Sequence, residues 1–269
     1  MARNDTPKKG GAAMPVMDEF KEERAALKNG TLKEKLSYFM EYYKWHVVAA
    51  VAIIALMVST LHHLLTSKDS AFYAAFINSF PIESSEEHVQ GFAQYAGIDL
   101  NTYSVLIDDT LHLDFESPSQ DSLASSQKLM AYLAASEIDV FLSNEAVIQQ
   151  YAYNESFHDL RDILTQEQID RYEPYFFYLD QTVADAVQNA LANPDFDYDH
   201  TPDIPNPWNP EAMDQPIPVG ISLESAASLS EIYYFGEDGP AVIAVVTNSP
   251  HPETAIKYIE YLLDYPAAP

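Results

Sequence analysis

QKLMAYLAASEIDVFLSNEAVIQQYAY (Gln127–Tyr153) reads as one strand held between two helices. The helix before it runs over Ser122–Ser136, with QKLMAYLAA as its strongest part. IDVFLSN (Ile138–Asn144) is short, apolar and bounded by polar residues, as a buried strand is. Glu145–Tyr153 begins a second helix. Working outward, AFYAAFINS (Ala71–Ser79) and TYSVLIDD (Thr102–Asp109) are two more strands. Between them Glu86–Tyr95 is helical, with Val89, Phe92 and Ala93 on one face and Gly97 as its stop. A further helix, Thr165–Tyr172, has Thr165 as N-cap. The β-α-β-α-β-α order predicts an α/β domain, a mainly parallel sheet flanked by helices on both faces.

The pattern is less regular after Asp180. A helix over Thr182–Leu191 leads into Asn193–Pro218, which carries seven prolines and reads as a long loop. Gly220–Phe235 holds a short extended piece and a helix. AVIAVVTNS (Ala241–Ser249) is a late strand, and Pro252–Leu263 is a last helix with Ile256, Tyr258, Ile259, Leu262 and Leu263 on its apolar face.

A different physics governs Trp45–Leu65, WHVVAAVAIIALMVSTLHHLL. No Asp, Glu, Lys or Arg occurs between Lys44 and Lys68. As a helix these 21 residues span about 30 Å, the hydrocarbon thickness of a bilayer. His46, His62 and His63 sit at its ends, and Tyr42, Tyr43 and Trp45 form an aromatic belt at one of them. Lys28, Lys33, Lys35 and Lys44 precede the segment, and Lys68 alone follows closely. The positive-inside bias therefore predicts a cytoplasmic N-terminus and an extracytoplasmic C-terminal domain. A cleaved signal peptide is disfavoured, because its charged region would be 44 residues long. The expected organisation is a cytoplasmic tail over 1–44, a transmembrane helix over 45–66 and an α/β domain over 67–269. Leu32, Leu36, Phe39, Met40 and Tyr43 recur at helical spacing, predicting an amphipathic stretch that continues into the span. A short helix is expected around Met17–Lys28.

Charge divides along the same line. Residues 1–46 hold nine Lys/Arg against seven Asp/Glu, a balance of +2; the rest hold five against 34, a balance of −29. Such a domain repels phosphates, so nucleic acid is not an expected partner. The chain has no cysteine, which removes disulfides, thiolate metal sites, cysteine nucleophiles and a lipid-modified cysteine anchor.

SEIDVFLSNEAVIQQYAYNESFHDLRDIL (Ser136–Leu164) resembles a segment of type 2 extracellular solute-binding proteins. There an acidic turn, here Glu137–Asp139, enters a strand ending at the cleft, here Val140–Leu142. A helix follows, and a loop closing on a Leu-x-Asp/Glu-Leu pattern, here within Phe157–Leu164. PVGISLE and AVIAVVTNSPHPETAIKYIEYLL resemble that family's closing segment, a strand ending in Asn-Ser and then a helix. Thr247, Asn248 and Ser249 match the strand end; Ala255, Tyr258, Ile259, Leu262 and Leu263 match the helix. The resemblance covers about 70 residues in two blocks and implies a ligand-binding fold. Members carry two full lobes, and here a second lobe would have to come from Phe176–Tyr234.

No motif assembles into an enzyme. GxSxG, P-loop, GxGxxG and HExxH patterns are all absent. Asp108-Asp109 closes a strand and could pair for acid–base work, though an exposed strand-end turn explains it as well. Asp195, Asp197 and Asp199 open like a calcium loop, but His200 and Asn206 stand where Gly and Glu are needed. Asp203 and Asp214 could complete a non-standard site there. His112 and His158 lie near acids without metal-ligand spacing. Neither a metal nor a cofactor is expected.

Ligands of parallel α/β sheets bind at the carboxyl ends of strands. That rule selects Ser79, Ser143 and Asn144, which follow strands, with Trp208, Tyr233 and Tyr234 as aromatic partners that could stack on a ligand. Helix capping and core packing explain the same residues equally well. The expectation is a membrane-anchored extracytoplasmic binding protein for a small solute or peptide. The alternative is an interaction module of a membrane complex, whose fold lacks a ligand cleft. The bilayer itself is the expected partner of residues 45–66.

Overall fold

A computed structural model describes residues 31–66, 68–192, 202–236 and 239–264. The helix expected around Met17–Lys28 and the Asp195–Asp199 run lie outside these residues. The chain divides after Ser67 into two compact units.

Among the described residues the first unit holds one continuous helix, α1 (Leu32–Thr66). Amphipathic stretch and apolar segment thus share one helix, as their spacing predicted. Lys44–His62, 19 residues, is long and apolar enough to cross a membrane, and none of it is buried within the chain.

The second unit is a three-layer α/β/α domain. Its strands are β1 (Asp69–Ile77), β2 (Phe80–Pro81), β3 (Tyr103–Leu111), β4 (Val140–Ser143), β5 (Phe176–Asp180), β6 (Pro216–Ser222), β7 (Tyr233–Tyr234) and β8 (Val242–Val245). Its helices are α2 (Glu86–Ala96), α3 (Gln120–Ala134), α4 (Glu145–Ala152), α5 (Leu160–Ile163), α6 (Gln166–Tyr172), α7 (Gln181–Leu191), α8 (Ala227–Ile232) and α9 (Pro252–Asp264). The six-stranded sheet has the order β3-β1-β4-β8-β6-β5, and β2 and β7 form a separate antiparallel pair.

Burial on both faces explains why β1 reads as an unbroken apolar run. Phe72, Ala74 and Phe76 enter one core, with Phe92 of α2 and Tyr258, Ile259 and Leu262 of α9. Tyr73, Ala75 and Ile77 enter the other, with Leu129 of α3 and Val147 and Ile148 of α4. Successive side chains of a strand point to opposite faces, so one strand feeds both cores. Each fully buried large apolar side chain contributes about 1.5–3 kcal/mol.

The helix starts are written locally. Ser119, Asn144 and Asp180 accept backbone N–H bonds from Ser122, Val147 and Thr182. Thr165 and Gln168 form a full capping box. Gly97 takes the left-handed conformation, φ +76°, and ends α2 through a bond from its N–H to Gln94.

Three expectations change. The sheet is mixed: β3, β1 and β4 are parallel, whereas β8 is antiparallel to β4 and β6, and β5 is antiparallel to β6. Phe176–Asp180 and Pro216–Ser222, from the stretch where a second lobe would have to come, are two strands of this one sheet. Pro216–Pro218, read as loop, opens β6 and pairs with Asp180–Tyr178. The short β8 reaches only Ile221 and Ser222 of β6. Among the described residues the first half of β6 has no strand partner on that side, so a proline lacking an N–H removes no ladder bond there.

Candidate functional site

β1, β3 and β4 end at one edge of the sheet. β6 ends there too, and antiparallel β8 begins there, since Ser222 and Ser143 both lie opposite Val242. Loops at this edge are locked to one another. Asn78, at φ 55°, donates through Nδ2 to Leu113 O (2.9 Å) and accepts at Oδ1 from Leu113 N–H (2.7 Å). Sequence reading passed over Asn78; its signal was a small amide just beyond a buried strand.

The residues chosen from the sequence do gather around this edge, but their polar groups are engaged within the protein. Ser79 is fully buried and donates to Phe76 O at 3.2 Å. Ser143, also fully buried, donates to Ile77 O at 2.8 Å and so ties β4 to β1. Asn144 caps α4. Trp208 packs edge-on against Phe177 at 5.2 Å and donates from Nε1 to Glu145 Oε2 at 2.8 Å. Tyr233 is buried and packs edge-on on Phe76 at 4.8 Å. Its hydroxyl donates to Asp109 Oδ2 at 3.0 Å, and burial together with that carboxylate pushes its pKa up to about 12.

Tyr233 reveals how the edge is covered. The chain leaves β6 at Leu223, forms α8 and β7, and returns to β8 at Val242. In crossing, it carries Tyr233 past β1 to Asp109 on the outermost strand, β3. There β7 pairs with β2, Phe80 opposite Tyr234 and Pro81 opposite Tyr233. Ile82 N–H donates to Ile232 O at 2.8 Å and extends the clasp.

Under this excursion lies an open cleft of about 230 Å³. Leu223, Ala226, Leu229, Tyr233, Phe235 and Ala241 give it an apolar floor, and Ile82, Glu224, Ser230 and Tyr234 stand at its mouth. Gly236 and Gly239 form one wall with φ of +88° and +94°, a region costly to residues with a Cβ. Ile82 and Tyr234 are 60% and 45% exposed, and Phe80 beside them is 53% exposed. His112 stacks on Phe80 with ring centroids 5.6 Å apart. Sequence reading named Tyr233 and Tyr234 but missed the rest, because their apolar positions follow no single period.

The other chemical candidates separate. Asp108 and Asp109 point to opposite faces, as neighbours on a strand must. Asp108 meets Tyr73 Oη (2.8 Å), Thr110 Oγ1 (2.6 Å) and Lys128 Nζ (2.6 Å). Burial opposes ionisation of Asp108, but these bonds outweigh it and hold its carboxyl below the usual range. The two carboxyls therefore cannot work as an acid–base pair. Among the described residues no group of three or more His, Asp or Glu could hold a metal ion. Neither a family model nor a curated protein matches this sequence.

Proposed function

We propose that this chain is a membrane-tethered, non-catalytic binding module whose cleft receives the apolar side chains of an extended peptide or protein segment. The observation that carries the reading is the apolar cleft at the carboxyl edge, the edge where α/β sheets bind ligands. At about 230 Å³ it falls short of the roughly 300–1,000 Å³ that encloses a drug-sized solute. It suits one or two anchoring side chains. Capture of a small polar solute is the weaker reading, because Ser79, Ser143, Trp208 and Tyr233 already spend their polar groups internally and Asn144 spends its side-chain oxygen on the cap.

The resemblance to type 2 extracellular solute-binding proteins fits this reading. Its two blocks are neighbours in space, β4 pairing with β8 along its whole length. Helix α1 serves as the tether, and the lysine bias puts the α/β domain on the extracytoplasmic side.

The test uses the full chain in phosphatidylcholine nanodiscs, titrated with the neutral peptide Ac-SSLFLSS-NH2 and with a panel of sugars and amino acids. Saturable peptide binding that disappears in Ser230→Trp, which plugs the mouth, is the expected result. Saturable binding of a sugar or amino acid alone, or peptide binding indifferent to the plug, would overturn the reading.

A further inference from the structure

The charge around the cleft specifies its occupant further, given the peptide-binding reading above. The domain's five Lys/Arg all lie elsewhere. Lys68 donates to Leu100 O, Lys257 to Ala96 O, and Lys128 is paired with Asp108. Arg161 and Arg171 are paired with Asp159 and Asp264. None lines the cleft. Carboxylates do approach it. Glu224 stands exposed at the mouth. Ile82 N–H bonds Ile232 O, which brings the neighbouring exposed Glu83 close to the clasp.

The mouth adds a second, independent feature. Phe80 and Tyr234 expose aromatic rings 6.4 Å apart, and Ile82 stands beside them. Aromatic faces attract ammonium and guanidinium groups, and long basic side chains lay their apolar stems on such surfaces. A carboxylate-bearing ligand would meet only negative charge here. A second copy of the domain, itself at −29, is disfavoured for the same reason.

We infer that the cleft takes a cationic amphipathic peptide segment: an apolar residue seated on Leu223, Leu229 and Phe235, flanked by Lys or Arg facing Glu224 and the Phe80–Tyr234 rings. The occupant is then a basic segment of a protein at the extracytoplasmic surface.

Full-length protein in phosphatidylcholine nanodiscs is titrated with Ac-KKLFLKK-NH2, Ac-SSLFLSS-NH2 and Ac-EELFLEE-NH2. At about 50 mM salt the basic peptide should bind at least ~10-fold tighter than the acidic one, with the gap narrowing several-fold at about 500 mM. Glu224→Lys should weaken the basic peptide several-fold. Glu253→Lys, on the opposite edge of the sheet, should leave it within about twofold, which separates a local site from the domain's general field. Equal binding of all three peptides, still abolished by Ser230→Trp, would overturn this inference and leave the peptide-binding reading standing. So would equal losses in Glu224→Lys and Glu253→Lys. Binding of no peptide, or binding insensitive to Ser230→Trp, would overturn both.

Discussion

Asp139 and Ser249, 110 residues apart, are joined by a 2.6 Å hydrogen bond from the serine hydroxyl to a fully buried carboxylate. The same carboxylate accepts the backbone N–H groups of Tyr73 (2.8 Å) and His251 (3.0 Å), and His251 Nδ1 lies 3.3 Å away. Asp139 thus ties the entry of β4 to β1 and to the turn that begins α9. Asp139→Leu strands these donors in the interior. It should cost roughly 3–5 kcal/mol of unfolding free energy. Urea denaturation of the full chain measures this; a loss below about 1 kcal/mol would show that the network is replaceable.

His88 should make the domain acid-sensitive. It is buried, 2.9 Å from Tyr258 Oη, and burial lowers its pKa to about 4 from 6.5. A neutral imidazole can accept the Tyr258 hydroxyl, whose own pKa burial raises. Because the folded pKa lies below the unfolded one, the unfolded chain binds the proton first as pH falls. Stability is therefore full above pH 6.5 and is lost progressively towards pH 4. Between pH 7 and 5 the loss should be about 2 kcal/mol. His88→Phe should remove that slope, which parallel denaturation curves at the two pH values would test.

Tyr233 should hold the excursion over the sheet edge. Tyr233→Phe deletes the hydroxyl bond to Asp109 alone and should cost about 1 kcal/mol. Tyr233→Ala also empties the space against Phe76 and Phe235 and should cost about 3–5 kcal/mol. A similar loss in both variants would mean that the ring contributes little.

Trp208 offers an optical check on the loop before β6. With Trp45→Phe in the background it is the sole tryptophan. Glu145→Ala removes the acceptor of its indole N–H, so emission should shift to the red and quenching by iodide should rise. Unchanged emission would show that the Phe177 contact alone fixes the ring.

The absence of cysteine makes the proposed topology directly testable. Glu116→Cys should react with a membrane-impermeant maleimide in intact cells, whereas Thr6→Cys should react only after lysis. Arginine in place of both Ile54 and Leu56 should release the chain to the soluble fraction, since each costs about 2.5–3.5 kcal/mol at a helix centre. The reverse labelling pattern would invert the orientation.

Much of this protein is decided by neighbours in sequence. The uncharged run from Trp45 to Leu65, the caps at Asn144 and Thr165, the stop at Gly97 and the apolar strands around Ala74 and Phe141 all rest on interactions within a few residues. One helical turn, one pleat or one bilayer thickness suffices to read them. Strand order is different. Nothing local tells β8 to run antiparallel between β4 and β6, or lets prolines 216 and 218 open a strand, because those outcomes depend on which partner leaves a backbone edge free. The fate of the polar candidates is also tertiary. Ser79, Ser143 and Asn144 lie at the expected edge, yet the two hydroxyls and the amide oxygen are spent on Phe76, Ile77 and Val147. The cleft is assembled from Ile82, Leu223, Leu229 and Phe235, residues with no common period. Only the path of the chain from β6 across to Asp109 and back to β8 brings them together.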